Sequence, residues 1–212
     1  IPLVGIRKTT AERLSFSART APHSTITMEV DMANCVRLHE QTGVSYTDLL
    51  VKAVATVLSK HRLLNATLEN EQIKVIEDIN IGVAVATEKG LLVPVVRNAD
   101  QKTAKEISTK VKELAQKARQ GTLSKEDLTG GTFTITNLGM YGVDIFIPII
   151  NPPESAILGV GRITEKLVLI DNQVKAKRVM QLSLAYDHRI VDGAPAAQFL
   201  QSIKHTLESE SS

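Results

Sequence analysis

The chain has one cysteine, no tryptophan, four phenylalanines and three tyrosines in 212 residues. A single cysteine excludes an internal disulfide framework. It suits a reducing compartment, the cytoplasm or, in a eukaryote, the mitochondrial matrix. So few aromatics leave no base-stacking platform and no aromatic cage. A charge excess is missing too. Lys+Arg 25 against Asp+Glu 23 gives a formal net charge of +2, which argues against nucleic acid as a partner and against an acidic disordered tail. No apolar run approaches the roughly 20 residues that span a bilayer, and no signal-peptide pattern is present, so no membrane partner is expected. GxGxxG, Walker A, CxxC, HxH and HExxH do not occur, and His23, His39, His61, His188 and His205 show no zinc spacing; no metal site is expected. The first residue is Ile1 rather than Met, which reads as a processed or excised piece of something longer. What is present is ordinary: 43% hydrophobic and 23% charged residues, in a length that buries a sizeable core without metal or disulfide.

Hydrophobic patterning changes every 10 to 20 residues or so, without an internal repeat. Arg7 to Ser17 reads as a short helix ended by Pro22, and Ser24 to Asp31 alternates like a strand. Thr42-Gly43 is a turn, after which Thr47 is expected to cap a helix with Leu50, Val54, Val57 and Leu58 on one face, ending near His61. Lys74 to Ile76 is a short strand. Ile81 to Thr87 and Leu91 to Val96 read as buried strands joined by Glu88-Lys89-Gly90, with Pro94 marking an edge or a bulge. Thr103 to Gln120 carries a Thr103/Glu106 capping box, a stripe of Ile107, Val111, Leu114, Ala115 and Ala118, and Gly121 as its stop. Its Lys105, Lys110, Lys112 and Lys117 read as a solvated face. Thr132 to Thr136 is a strand, and Leu138 to Asn151 a packed loop. Ala156 to Val160, Lys166 to Ile170, Val174 to Arg178 and Met180 to Tyr186 are four strands, with Asp171-Asn172 as a turn. Pro195 opens a last helix that turns Phe199, Leu200, Ile203 and Leu207 inward. The pattern is α+β, with helices on a largely antiparallel or mixed sheet.

One segment stands out, Tyr186-Asp187-His188-Arg189-Ile190-Val191-Asp192-Gly193. Asp, His and Arg directly after an apolar strand are costly to bury unless paired. Two readings stay open on the residues alone. One is an ion-pair knot that fixes a strand-to-helix turn. The other is a general base, His188, with Asp187, Arg189 and Asp192 orienting it or holding the loop.

The same segment resembles the His-x-x-x-Asp-Gly signature of the dihydrolipoamide acyltransferases, the core subunits of the 2-oxo acid dehydrogenase complexes. Asp187 to Gly193 meets the fuller pattern, Asp-His-Arg, two aliphatics, Asp-Gly, without a mismatch. RKTTAERL from Arg7, APHSTITMEVD from Ala21, GLLVPVVRNAD from Gly90, DLTGGTFTITNLG from Asp127 and PPESAILGVGRI from Pro152 resemble the family in the same order. The resemblance implies a single acyltransferase catalytic domain over residues 1–212, with lipoyl and subunit-binding domains upstream. It also implies the two-layer sandwich of chloramphenicol acetyltransferase, working as a homotrimer with its active site between subunits.

By that resemblance the domain passes an acyl group between the dihydrolipoyl thiol of a separate lipoyl domain and coenzyme A. His188 is the implied base that deprotonates the coenzyme A thiol, and Thr136, in FTITNLG, the implied oxyanion donor. Asp192 holds the loop, by pairing with Arg7, Arg13 or Arg19. Asn137, Arg13, Gly159 and Gly161 are the expected coenzyme A contacts. His23 lies in the family pattern, with a trimer contact, a channel lining or a structural hydrogen bond as its possible roles; His39, His61 and His205 are expected on helix surfaces. Gly193-Ala194 and Asn137-Leu138-Gly139 resemble acetyl or branched-chain members rather than succinyl-transferring ones. Cys35 supplies a rival, a covalent acyl-cysteine, against its reading as a small buried residue near a helix start. A soluble O-acyltransferase and a non-catalytic scaffold are the alternative functions. The family's trimers join into cubic or dodecahedral cores, partly through an apolar C-terminal tail, and meet decarboxylase and dihydrolipoamide dehydrogenase components through other domains. This chain ends in the polar Glu208-Ser209-Glu210-Ser211-Ser212, a departure from that pattern.

Overall fold

The computed structural model describes residues 2–88 and 90–209. Ile1, Lys89 of the expected Glu88-Lys89-Gly90 turn, and the polar ending from Glu210 lie outside the described residues. In chain order the elements are α1 (Gly5–Thr20), β1 (His23–Asp31), α2 (Ala33–Thr42), α3 (Tyr46–Leu58), β2 (Ala66–Glu69), β3 (Gln72–Val75), β4 (Ile81–Val83), β5 (Val85–Thr87), β6 (Gly90–Leu92), β7 (Val95–Val96), α4 (Ala104–Gln120), β8 (Phe133–Asn137), β9 (Ala156–Ile170), β10 (Gln173–Asp187) and α5 (Gly193–Glu208).

Six strands form one mixed sheet in the order β1-β10-β9-β8-β4-β7. β10 runs antiparallel to both β1 and β9, β8 runs parallel to β9 and β4, and β7 closes the edge antiparallel to β4. Alternation along the strands sorts the side chains. Phe133, Ile135, Leu158, Val160, Leu182 and Leu184 face one way and meet Leu50 and Val54 of α3 and Phe199, Leu200 and Ile203 of α5 in the core. Thr134, Thr136 and Ile157 face the other way, toward α1. The expected α+β architecture, helices on a mixed sheet, is what the chain adopts.

Local chemistry explains most boundaries. Ser45, not Thr47, caps α3: its Oγ accepts from Asp48 N–H at 3.2 Å, and Asp48 Oδ2 accepts from Ser45 N–H at 3.1 Å. Thr47 is the second residue of the helix, and its hydroxyl accepts from Asn137 instead. The Thr103/Glu106 capping box and the left-handed Gly121 bound α4 as expected. Glu113 pairs with Lys110 and Lys117 on its solvated face. Asp171 and Asn172 both take positive φ, the conformation of a tight hairpin turn.

Several expectations need correction. Four strands between residues 156 and 186 are two, each of fifteen residues. Ile81 to Thr87 and Leu91 to Val96 each break in two. β4 and β7 enter the large sheet, while β5 and β6 peel away as a separate, partly exposed hairpin. Pro94 lies at this break, and β7 is an edge strand. Loop 138–151 is not packed throughout, since Met140, Tyr141, Ile145, Ile147 and Ile149 are exposed. His61 follows α3 rather than lying on it, half-buried with Nε2 3.2 Å from Ser202 Oγ. His39 is half-buried too, with Nδ1 2.9 Å from the Val44 carbonyl.

Candidate active site

The strand-to-helix turn after β10 separates its charged residues: Asp187 and Arg189 pair with each other, and His188 stays outside the pair. Asp187 is buried and takes Arg189 bidentately, with Nη2 to Oδ2 at 2.6 Å and Nε to Oδ1 at 3.0 Å. This ion pair, whose hydrogen bonds also push the Arg189 guanidinium pKa up, is the knot. The Ile190 and Val191 amides donate to the Asp187 carbonyl and close the turn, and the His188 amide donates to the Pro22 carbonyl. His188 is left outside the knot with its ring 48% exposed. Its Nδ1 stands 3.7 Å from Asp192 Oδ1, so the other ring nitrogen is turned away from the carboxylate. Asp192 is the N-cap residue of α5, is 85% exposed and makes no side-chain cap bond. None of Arg7, Arg13 and Arg19 reaches it among the described residues. Arg13 donates to Asn151 Oδ1 at 3.2 Å and to the Pro152 carbonyl, and Arg19 to the Ser15 carbonyl.

Thr136 lies on the face of the sheet opposite α3 and α5, the face that α1 covers. It lines a cavity of about 710 Å³ with Thr134, Ile157, Arg13, Phe146 and Glu154. The Thr136 hydroxyl has no hydrogen-bond partner among the described residues. Asn137 next to it is a brace: Nδ2 donates to Thr47 Oγ1 at 3.1 Å, and Oδ1 accepts from Gly139 N–H at 2.8 Å. The strand end is thus fastened to the start of α3, and Thr136 is presented from a rigid position.

Thr136 and His188 do not meet within one chain. Thr136 pairs with Gly159, and Gly159 with Ser183, so Thr136 lies level with Ser183 two strands away. His188 is five residues beyond Ser183. At about 3.3 Å per residue and about 4.8 Å between strands, the two residues are roughly 15–20 Å apart. That span is far beyond the distance over which a base and an oxyanion donor serve one carbonyl.

Gly159 and Gly161 have a structural reason for being glycine. A Cβ on Gly159 would sit 3.1 Å from Phe146 and 3.3 Å from Pro148, and one on Gly161 only 1.9 Å from the Asp144 carbonyl oxygen. Loop 138–151 crosses directly over β9 at these positions. That face of both glycines is covered by the chain itself rather than open to a ligand. His23 bridges two backbones, with Nδ1 2.8 Å from the Ala21 carbonyl and Nε2 accepting from the Ile150 amide at 3.1 Å. Of the roles open to it, the structural hydrogen bond is the one observed.

Sequence reasoning missed Glu154. It is buried in the cavity wall, and Oε1 accepts from Thr134 Oγ1 at 2.9 Å and Asn151 Nδ2 at 3.0 Å. Its one signal in the sequence is an acid wedged between Pro153 and the wholly apolar start of β9.

Helices α3 and α5 on one face of a mixed sheet, with a histidine just past the end of its second strand, make a fold shared with chloramphenicol acetyltransferase. A solved chloramphenicol acetyltransferase superposes with a TM-score of 0.59 at 12% identity, over 97% of this chain and 99% of that one, a likeness of fold alone. The model of the 2-oxoacid dehydrogenases acyltransferase (catalytic domain) family matches residues 1–212, and the chain belongs to that family. The dihydrolipoyllysine-residue acetyltransferase component of the pyruvate dehydrogenase complex of Bacillus subtilis is 44% identical over 96% of this chain and 48% of its own. The succinyltransferase component of the 2-oxoglutarate dehydrogenase complex of Rickettsia typhi is 39% identical over 96% of this chain and 54% of its own. The chain thus spans about half the length of these relatives. Among solved structures, a probable dihydrolipoamide acetyltransferase from Listeria monocytogenes aligns with a TM-score of 0.94 and 39% identity, over 100% of this chain and 94% of that one. The cubic core of a pyruvate dehydrogenase multienzyme complex aligns at 0.92 and 33%, over 99% and 90%. Among the described residues no helix is long and apolar enough to cross a membrane, and no group of three or more His, Cys, Asp or Glu could hold a metal ion.

Proposed function

We propose that this domain transfers an acyl group between a dihydrolipoyl thiol and coenzyme A, within a 2-oxo acid dehydrogenase complex, at a site shared by two copies of the chain. The observation that carries this reading is the exposed His188, set apart from the Asp187–Arg189 pair with Asp192 facing its Nδ1. Asp192 favours the tautomer with a proton on Nδ1, which leaves Nε2 as the base. A thiol with a reference pKa of about 8.5 is mostly protonated at neutral pH, so a base is required. Nε2 takes the proton of the coenzyme A thiol. The sulfur attacks the carbonyl carbon of the lipoyl thioester, forming one C–S bond. The tetrahedral oxyanion takes a hydrogen bond from the Thr136 hydroxyl, which is free for that purpose. Collapse breaks the C–S bond to the lipoyl sulfur, which leaves with the proton from His188. No acyl-enzyme forms.

Because Thr136 and His188 stand so far apart in one chain, Thr136 of one copy serves His188 of the next. The exposed apolar residues of loop 138–151 and of α1, Met140, Ile147 and Phe16 among them, support contact with further copies. A closed homotrimer is the assembly proposed, built into a larger core that meets a lipoyl domain and the decarboxylase and dihydrolipoamide dehydrogenase components. Asn137 and Arg13 are proposed to shape the coenzyme A channel, Asn137 through its brace and Arg13 from the cavity wall. Asn137-Leu138-Gly139 and Gly193-Ala194 support an acetyl or branched-chain acyl group over succinyl, and a reducing, cytoplasm-like compartment suits the free thiols of the reaction.

The test is transfer between acetyl-CoA and dihydrolipoamide. His188→Ala abolishes it with the fold intact by circular dichroism. Thr136→Ala lowers kcat on the order of 10²-fold with coenzyme A binding little changed. Near-normal turnover of His188→Ala removes the base assignment, and an effect of Thr136→Ala confined to KM removes the oxyanion role.

A further inference from the structure

The cavity beside Thr136 contains an acid that acyl transfer, as derived above, does not use. Glu154 is 7% exposed. Its Oε1 is held by the Thr134 hydroxyl and the Asn151 amide, and that amide also donates to Thr134 Oγ1 at 3.2 Å. Its Oε2 is buried with no partner among the described residues. Two cations lie nearby, and both are engaged elsewhere. Arg13 of α1 is committed to Asn151 Oδ1 and the Pro152 carbonyl, and acts on Glu154 only through its charge. Arg97, after β7, lies against Gly130 and donates Nη2 to the Glu126 and Thr129 carbonyls at 2.9 and 3.0 Å. No ion pair reaches the carboxyl group among the described residues. A carboxylate in such a place leaves one oxygen charged, buried and unpaired, the costly arrangement; a carboxylic acid does not.

We propose that Glu154 is a positioning residue of the acyl-transfer site: as the neutral acid it fixes Thr134 and Asn151 in the wall beside Thr136 and keeps that wall free of negative charge. Burial pushes the carboxyl up to about 8, outweighing the two hydrogen bonds and Arg13, which pull it down. Thr134 and Thr136 alternate onto the same face of β8, about 7 Å apart. Glu154 thus stands one residue pair away from where the oxyanion develops. A unit negative charge at that distance opposes the oxyanion by a rate factor on the order of tenfold. The neutral acid avoids this while still accepting from Thr134 and Asn151. The inference rests on the acyl-transfer reading of Thr136.

The experiment assays the assembled wild type, Glu154→Gln and Glu154→Ala for acetyl transfer from about pH 6.5 to about 9.5, and follows thermal unfolding from about pH 4 to about 9.5. Gln keeps the acceptor and cannot ionise. Above about pH 8, kcat of the wild type falls on the order of tenfold relative to Glu154→Gln, with KM little changed. At neutral pH, Glu154→Gln restores what Glu154→Ala loses. An equal alkaline fall in wild type and Glu154→Gln, or equal impairment of both variants at neutral pH, overturns the proposal. The folded chain holds this proton more tightly than the unfolded chain, so the neutral acid's share of stability is complete below the ordinary value of 4.5 and is lost as pH rises toward about 8. The wild type's Tm therefore falls relative to Glu154→Gln across that window, and parallel curves overturn the neutral acid. A wild type that transfers no acyl group at any pH overturns the acyl-transfer reading and the positioning role with it, while the melting comparison still decides the state of the acid.

Discussion

The Cys35 thiol is buried, and its Sγ donates to the Leu207 carbonyl at 3.5 Å. Burial pushes the thiol up to about 11, so almost none is thiolate near neutral pH. A covalent acyl-cysteine needs the thiolate and a path to it, and neither exists here. Cys35→Ser keeps a donor for the Leu207 carbonyl and transfers acetyl groups at close to the wild-type rate; loss of activity in a folded variant would bring the covalent route back. The same scale shows what was legible. Asp187, His188 and Arg189 announced themselves because three ionisable groups directly after an apolar strand are costly to bury unpaired. Which of them paired was not legible, because it depends on the turn that the Pro22 and Asp187 carbonyls create. Glu154 was hidden for the opposite reason. A single acid between prolines and a strand looks like loop polarity until the cavity around it is seen.

Loop 138–151 and β9 are a fitted pair. Asp144 pairs with Arg162, and the Arg162 amide donates to the Val143 carbonyl at 2.8 Å, fastening the loop where Gly161 lets it approach. Adding a Cβ at Gly161 places it 1.9 Å from a backbone oxygen, which no side-chain rotation relieves. Gly161→Ala therefore displaces the loop and lowers stability in urea by about 1–3 kcal/mol or more. A wild-type urea midpoint for this variant would show that the loop crosses elsewhere in solution. Gly161 also helps explain why β9 reads as two short strands: Gly161, Arg162 and Glu165 interrupt apolar alternation between Val160 and Lys166, and the continuity comes from pairing with β10. Ala84 interrupts the other run. Its amide donates to the Ile135 carbonyl, and the chain beyond it leaves the sheet as β5. Long, capped α4 was legible to within a residue, because periodicity and both caps lie in adjacent sequence. Strand pairing lies in distant sequence and was not.

The whole molecule leaves its own surface unfinished. Beyond residue 164, β9 and β10 continue as a two-stranded arm past the reach of both β8 and β1. One face of the arm carries Leu167, Leu169 and Val174, each about 70% exposed. A free ribbon of two strands is marginal in water, so this arm is expected to lie against another copy. The same need arises at the site, where Thr136 and His188 belong to different ends of the sheet. A site made of Thr136 from one copy and His188 from the next can be repaired by mixing two dead chains. Thr136→Ala supplies His188, and His188→Ala supplies Thr136. In a closed ring assembled at random from equal amounts, about a quarter of the interfaces carry both intact residues. Co-refolded mixtures then recover about a quarter of wild-type transfer, well above the residue of activity left in Thr136→Ala alone. If each copy held a complete site, every site in the mixture would lack one group, and the rate would stay at the average of the two variants. Recovery should also require reassembly, so variants mixed without unfolding stay inactive for as long as their oligomers do not exchange.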